Sequence, residues 1–117
     1  MLRQRQPRAS DEQHRRYIAG LPCLLCGAGN VQAAHVRYSD LSVGKGAVGM
    51  AEKPDDKFTV PLCVSHHSEQ HAWGDERGWW MKYEIDPIKV ALALYAVTGN
   101  HERGEMIVRS CREQCAA

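Results

Sequence analysis

Aromatic side chains are scarce in this chain of 117 residues, at 7% with a single phenylalanine. That excludes a large aromatic core, and a domain of this size sits near the margin of stability. No apolar run approaches the ~20 residues that a bilayer span needs. The longest covers residues 90–97, so no membrane partner is expected. An excess of one charge is also missing: 15 Lys and Arg against 14 Asp and Glu leave +1, which argues for neither an overall basic coat nor an acidic tail. The Arg-rich start has no apolar core of the kind a secretory signal carries. A cytoplasmic location is expected, with the cysteines in a reducing compartment. Repeats and low-complexity segments are absent, and the length is that of one domain.

Against these absences stand 5 Cys and 6 His, whose thiolate and imidazole groups hold borderline-soft metals. Their spacing has to be read on the expected elements. Ser10 and Gln13 have the form of a capping box, so a helix is expected over residues 11–19, ended by Gly20 and Pro22. Residues 31–36 read as a strand and 58–60 as its hairpin partner, with Pro61 ending it. Between them lies a loop of about twenty residues, a length more often functional than idle. Helices are expected over 63–73 and 76–83. A further helix opens at Asp86-Pro87 and stops at Gly99, and Asn100 caps a last one. The chain therefore reads as a small α+β domain over 10–117, with an N-terminal helix and two or three C-terminal helices, behind a basic flexible arm at 1–9.

Cys23-x2-Cys26 and Cys63-x2-His66 offer the three thiolates and one imidazole of a structural zinc site. The first pair sits on a turn and the second at a helix start, where residues three apart share a face and the helix N-terminus favours anionic sulfur. A turn knuckle, a hairpin and a helix carrying the second pair make a treble-clef arrangement around a closed Zn²⁺. The other reading of these cysteines, as small core hydrophobes, does not explain two matched spacings. His67 and His71 are left over. Four residues apart on a helix they share a face and form a second candidate metal site. His35, on the first strand, is placed to approach them.

The pattern Cys23-x2-Cys26, Ala34-His35-Val36, then Val60-Pro61-Leu62-Cys63-x2-His66-His67-x3-His71 resembles the HNH endonucleases. Their ββα-metal core is a hairpin plus a helix. The resemblance runs from about residue 21 to 80, and is nearest to the phage and prophage branch that includes the recombination-enhancement nuclease, which also has a stretch like Gly49-Met50 and Lys53-Pro54. It implies an HNH-like domain with a zinc and catalytic core at about 20–80 and C-terminal helices at about 86–115, in a bacterial cell and phage or prophage encoded. His35 would be the catalytic general base, a role suited to an imidazole with pKa near about 6.5. His67 and His71 would bind a catalytic divalent ion, Mg²⁺, Mn²⁺ or Zn²⁺, beside the structural zinc of Cys23, Cys26, Cys63 and His66. The products would carry a 5′-phosphate and a 3′-hydroxyl. Two positions depart from the family. Ala34 stands where many members have a further ligand, so a third ligand is expected from Asp40, Asp55, Asp56 or water. The middle Asn is missing, although Asp56 could tether the loop in its place.

The expected partner is DNA, with a recombination protein as a further candidate. Arg3, Arg5, Arg8, Arg15 and Arg16 concentrate positive charge in the first sixteen residues, where they could contact phosphates without reading sequence. Arg37, Lys45, Lys53 and Lys57 could add contacts around the loop. Trp73, Trp79 and Trp80 could stack on bases, but packing is the more ordinary role. Cys111 and Cys115 read as packing or free thiols, and His14 and His101 have no pattern. The competing class is a non-catalytic zinc-binding module that docks on DNA or a recombination protein, which has no need of His35, His67 and His71 together.

Overall fold

Two short strands organise the molecule. The computed structural model describes residues 11–38 and 56–116, with side chains as far as Glu113. In chain order these are α1 (Glu12–Ala19), β1 (Val31–His35), β2 (Thr59–Cys63), α2 (Val64–Trp73), α3 (Glu76–Lys82), α4 (Pro87–Ala96) and α5 (His101–Ala116). The strands pair antiparallel, with Val31 opposite Cys63 and His35 opposite Thr59, and the described residues form a small α+β fold of five helices and a two-stranded sheet. No described helix is long and apolar enough to cross a membrane.

β2 runs through Pro61 rather than stopping before it. In an antiparallel ladder a residue's N–H and C=O point the same way. The Pro61 carbonyl accepts from the Leu24 amide at 2.9 Å, so its missing N–H lies on the side turned from β1 and no ladder bond is lost. All five residues of β2 are buried, because helices pack against the hairpin from several sides. The core joins Ile18, Leu24, Leu62, Trp79, Trp80, Leu94 and Val108, and a second cluster of Val36, Phe58 and Ile88 lies at the far end of the hairpin.

The caps follow the local chemistry. α1 is capped by Asp11, whose carboxylate accepts from the His14 amide at 2.9 Å; Ser10, the expected cap, lies outside the described residues. α2 begins one residue later than expected because Cys63 serves as its cap, and ends at Gly74, whose φ of 85° is the left-handed stop that glycine accepts without strain. Asp86 caps α4 ahead of Pro87 as the sequence requires, and Asn100 accepts from the Arg103 amide at 3.0 Å to open α5. Gly104 sits where α5 crosses α1, and a Cβ there would collide with the Tyr17 hydroxyl and the Leu21 side chain.

Candidate metal centre and histidine cluster

The first cluster is built on the knuckle between α1 and β1. The Gly27 amide returns to the Cys23 carbonyl at 2.9 Å and the Cys23 amide reaches the Ala28 carbonyl at 3.0 Å, a tight turn that needs the positive φ of Gly27, 78°. The Leu24–Pro61 bond ties this turn to β2, whose last residue is Cys63. Across α2's first turn Cys63 Sγ accepts from the His66 amide at 3.5 Å. The result is a convergence of Cys23, Cys26, Cys63 and His66, whose ligand atoms all lie within 4.8 Å of one another.

The spacings fit a metal. Cys26 and Cys63 sulfurs are 3.8 Å apart, and His66 Nδ1 is 3.3 Å from Cys63 Sγ and 3.8 Å from Cys23 Sγ. Sulfurs about 2.3 Å from a tetrahedral ion stand about 3.8 Å from each other. These four groups could therefore hold an ion such as zinc, and the ligand set is the one the sequence spacing predicted. Burial raises the Cys23 thiol pKa, but the amides around it more than offset that and bring it below the usual thiol value. Burial, and after it the neighbouring Cys23 and Cys63, push the exposed Cys26 thiol up against the pull of the Ala28 amide. From α5, Arg112 donates to the Cys23 carbonyl at 3.5 Å and lies where a side chain at Gly27 would go.

The second cluster lies on the next face of α2. His67 and His71 bring their Nε2 atoms within 3.2 Å. His67 Nδ1 is 2.6 Å from Gln32 Oε1 on β1; with Gln32 accepting, the proton sits on Nδ1 and the Nε2 lone pair is turned to His71. Burial, then the His71 and His35 charges, lower the His67 pKa, so its neutral form is favoured. His35, at the end of β1, shares an open cleft of about 160 Å³ with His71. Its Nε2 donates to Asp56 Oδ1 at 2.7 Å.

Asp56 is 3% exposed and its second oxygen is fully used. Oδ2 takes the Arg15 guanidinium at 2.7 Å and the Asp11 amide at 2.8 Å. Burial alone would raise this carboxyl, but the bond from His35, the Asp11 amide and the Arg15 charge outweigh it and hold it below the usual range. With Oδ1 on His35 and Oδ2 on Arg15 and the Asp11 amide, Asp56 orients the His35 ring. Asp40 and Asp55, the other candidates, lie outside the described residues, as do Arg3, Arg5, Arg8, Lys45, Lys53 and the stretch 49–54. Among the described residues only the Cys₃His cluster gathers three or more potential ligands.

Both clusters fall within residues 1–95, the segment matched by a family described as "Protein of unknown function (DUF968)". The chain belongs to this family. It is also similar to the uncharacterized protein YdfU of Escherichia coli (strain K12), 32% identical over 87 residues, which are 71% of this chain and 23% of that protein. The chain thus spans less than a quarter of its relative's length. No solved structure matches it.

Several sequence candidates find other positions. Arg15, its side chain 39% exposed, pairs with Asp56 at 2.7 Å, and the exposed Arg16 pairs with Glu12 at 2.6 Å. Trp79 and Trp80 are core, with ring centroids 4.9 Å apart edge-on. Trp73 is exposed, under the Lys82 ammonium at 4.5 Å. Cys111 packs half-buried against the core, and the side chain of Cys115 lies outside the description. His14, without a pattern in sequence, is buried at the α1–α4 junction with Nδ1 on Thr98 Oγ1 at 2.7 Å. Gln32 and the Arg15–Asp56 pair carry no sequence signal, since neither is set by local spacing.

Proposed function

We propose that this chain is a metal-dependent DNA endonuclease of the HNH type, with a treble-clef, ββα-metal core. The observation that carries the reading is the His35–Asp56 hydrogen bond beside the paired His67 and His71. With Nε2–H committed to a carboxylate, His35 keeps the Nδ1 lone pair, which in that orientation can take a proton from water. Two nitrogens about 2.1 Å from one ion stand about 3.0–3.4 Å apart, at an octahedral or tetrahedral edge, which the 3.2 Å between His67 and His71 Nε2 matches. A divalent ion bound there would supply positive charge to a scissile phosphate and its leaving oxygen. Gln32 would hold the His67 ring in the ligating tautomer, as carbonyl partners of metal-bound histidines do. The Cys₃His cluster would hold Zn²⁺ as a structural ion that fixes the knuckle, β2 and α2 together. In this reading the products keep a 5′-phosphate and a 3′-hydroxyl, the setting is a bacterial cytoplasm with a phage or prophage gene, and a recombination protein is a candidate for bringing the enzyme to DNA.

The test is nicking of supercoiled plasmid by zinc-loaded protein with Mg²⁺, Mn²⁺ or Zn²⁺. Wild type is expected to nick with at least one of them, and His35→Ala to lose about 10²–10⁴-fold, the usual contribution of a general base. Equal activity of the two proteins rules out His35 as the base. A folded wild type inert with every ion leaves the non-catalytic zinc module as the function.

A further inference from the structure

The cleft shared by His35 and His71 has two further polar walls, Gln70 and Arg37, and is completed by Gly74 and Glu76. Gln70 is 7% exposed, and its amide nitrogen has no hydrogen-bond partner among the described residues. A buried donor without an acceptor destabilises a fold unless a water or a ligand supplies one. A half-turn of the terminal amide exchanges its oxygen and nitrogen, so the N–H can be offered from either position of the group. Arg37 is exposed at the rim. Its backbone amide is held by the Glu76 carboxylate at 3.1 and 3.4 Å, and no carboxylate among the described residues pairs with its guanidinium. Glu76, the one acid among the described lining residues, is thus tied to the Arg37 backbone.

The donor set decides the ligand class. A guanidinium fork matches two oxygens of a phosphate, a carboxamide N–H supplies a further donor, and the cleft is open on one side, so a diester within a strand can lie across it. A cationic ligand would meet Arg37. We infer that Gln70 and Arg37 seat a backbone phosphate of nucleic acid in this cleft, next to His35. The inference rests on the endonuclease reading only in taking the phosphate to be a nucleic-acid diester. Such contacts fix position without reading bases.

The experiment titrates the full zinc-loaded chain, with no second ion added, with inorganic phosphate and with a short oligothymidylate, followed through backbone amide NMR. Signals of residues 35–37 and 70–74 are expected to shift with both probes, and Gln70→Leu and Arg37→Gln each to weaken binding about tenfold, the loss of one hydrogen bond to a charged group. Gln70→Leu is expected to melt at the wild-type temperature or above it, since it removes an unmatched buried donor at similar volume. A purely structural Gln70 would leave affinity unchanged, and that result, or shifts confined to other residues, overturns the inference. Arg37→Gln, at an exposed position, keeps the test open should the Gln70 variant fail to fold. Binding that depends on both residues in a protein that nicks nothing supports this inference and retires the endonuclease reading. Nicking that neither substitution slows does the reverse.

Discussion

His35 on β1 and Asp56 ahead of β2 meet through a 2.7 Å hydrogen bond from imidazole Nε2 to carboxylate Oδ1, and the same carboxylate anchors Arg15 and Asp11, the cap of α1. One buried acid therefore joins the candidate base to the N-terminal helix.

Asp56→Asn keeps the shape and removes the charge. It is expected to lower unfolding free energy at neutral pH by about 1–3 kcal/mol, the worth of charged hydrogen bonds partly lost. Because the folded carboxyl is held below its unfolded value, its contribution is fully present above pH about 4 and disappears as pH falls through the folded pKa. Urea unfolding should show wild type and Asp56→Asn converging at the acid end. A gap that persists below both pKa values would assign the loss to geometry, not charge.

His14 acts at higher pH. Burial lowers its pKa against the pull of Asp11 and Asp56, so the unfolded chain takes up a proton that the folded one resists. The stability this histidine allows is complete above pH about 6.5 and falls as pH drops towards the folded pKa. His14→Phe, which keeps a ring against Tyr95 and Tyr17, should flatten the dependence of urea midpoint on pH below about 6.5. An unchanged slope would mean that other groups carry it.

The Cys₃His cluster should hold a single metal ion in the purified chain, read by elemental analysis. Cys23→Ser and Cys63→Ser are expected to lose the ion and most of their helical circular dichroism, because in small zinc domains about 10 kcal/mol or more of metal binding is folding energy. Cys111→Ser should keep both. Retention of full structure by a metal-free Cys23→Ser protein would show that the cluster is not what holds the knuckle.

Gly104→Ala sets two effects against each other. Alanine gains about 1 kcal/mol in helix propensity, but its Cβ meets the Tyr17 ring and hydroxyl, which is itself fixed by a 2.8 Å bond to the Asn100 carbonyl. Overpacking at such contacts costs about 1–3 kcal/mol, so the net change should be a lower melting temperature. Tyr17→Phe removes the colliding oxygen, and in that background the alanine should cost less. Additive effects would place the strain elsewhere.

What could be read from sequence was local. Cys23-x2-Cys26 and Cys63-x2-His66 work because a knuckle turn and a helix start each bring residues three apart together, and Asp86-Pro87 and Asn100 announce helix starts by side chains that reach only a few residues. His67 and His71 meet for the same reason. The wiring between elements was not legible: His35 and Asp56 are 21 residues apart, Arg15 and Asp56 41, Gln32 and His67 35. These partners are chosen by how α1 and α2 pack on the hairpin, which no spacing encodes. Pro61 misled for a related reason, since a proline ends a strand only where its amide is needed by the neighbouring strand, and which side that is depends on the register.

That proline has a consequence for the molecule among other molecules. A two-stranded sheet normally exposes two rows of unpaired backbone groups, each a template for a stray strand from another chain. On the outer row of β2, Pro61 has no amide to offer and its carbonyl is already taken by Leu24. Strand addition on that flank is blocked at its middle, so the knuckle that gathers the metal ligands also guards the hairpin against aggregation.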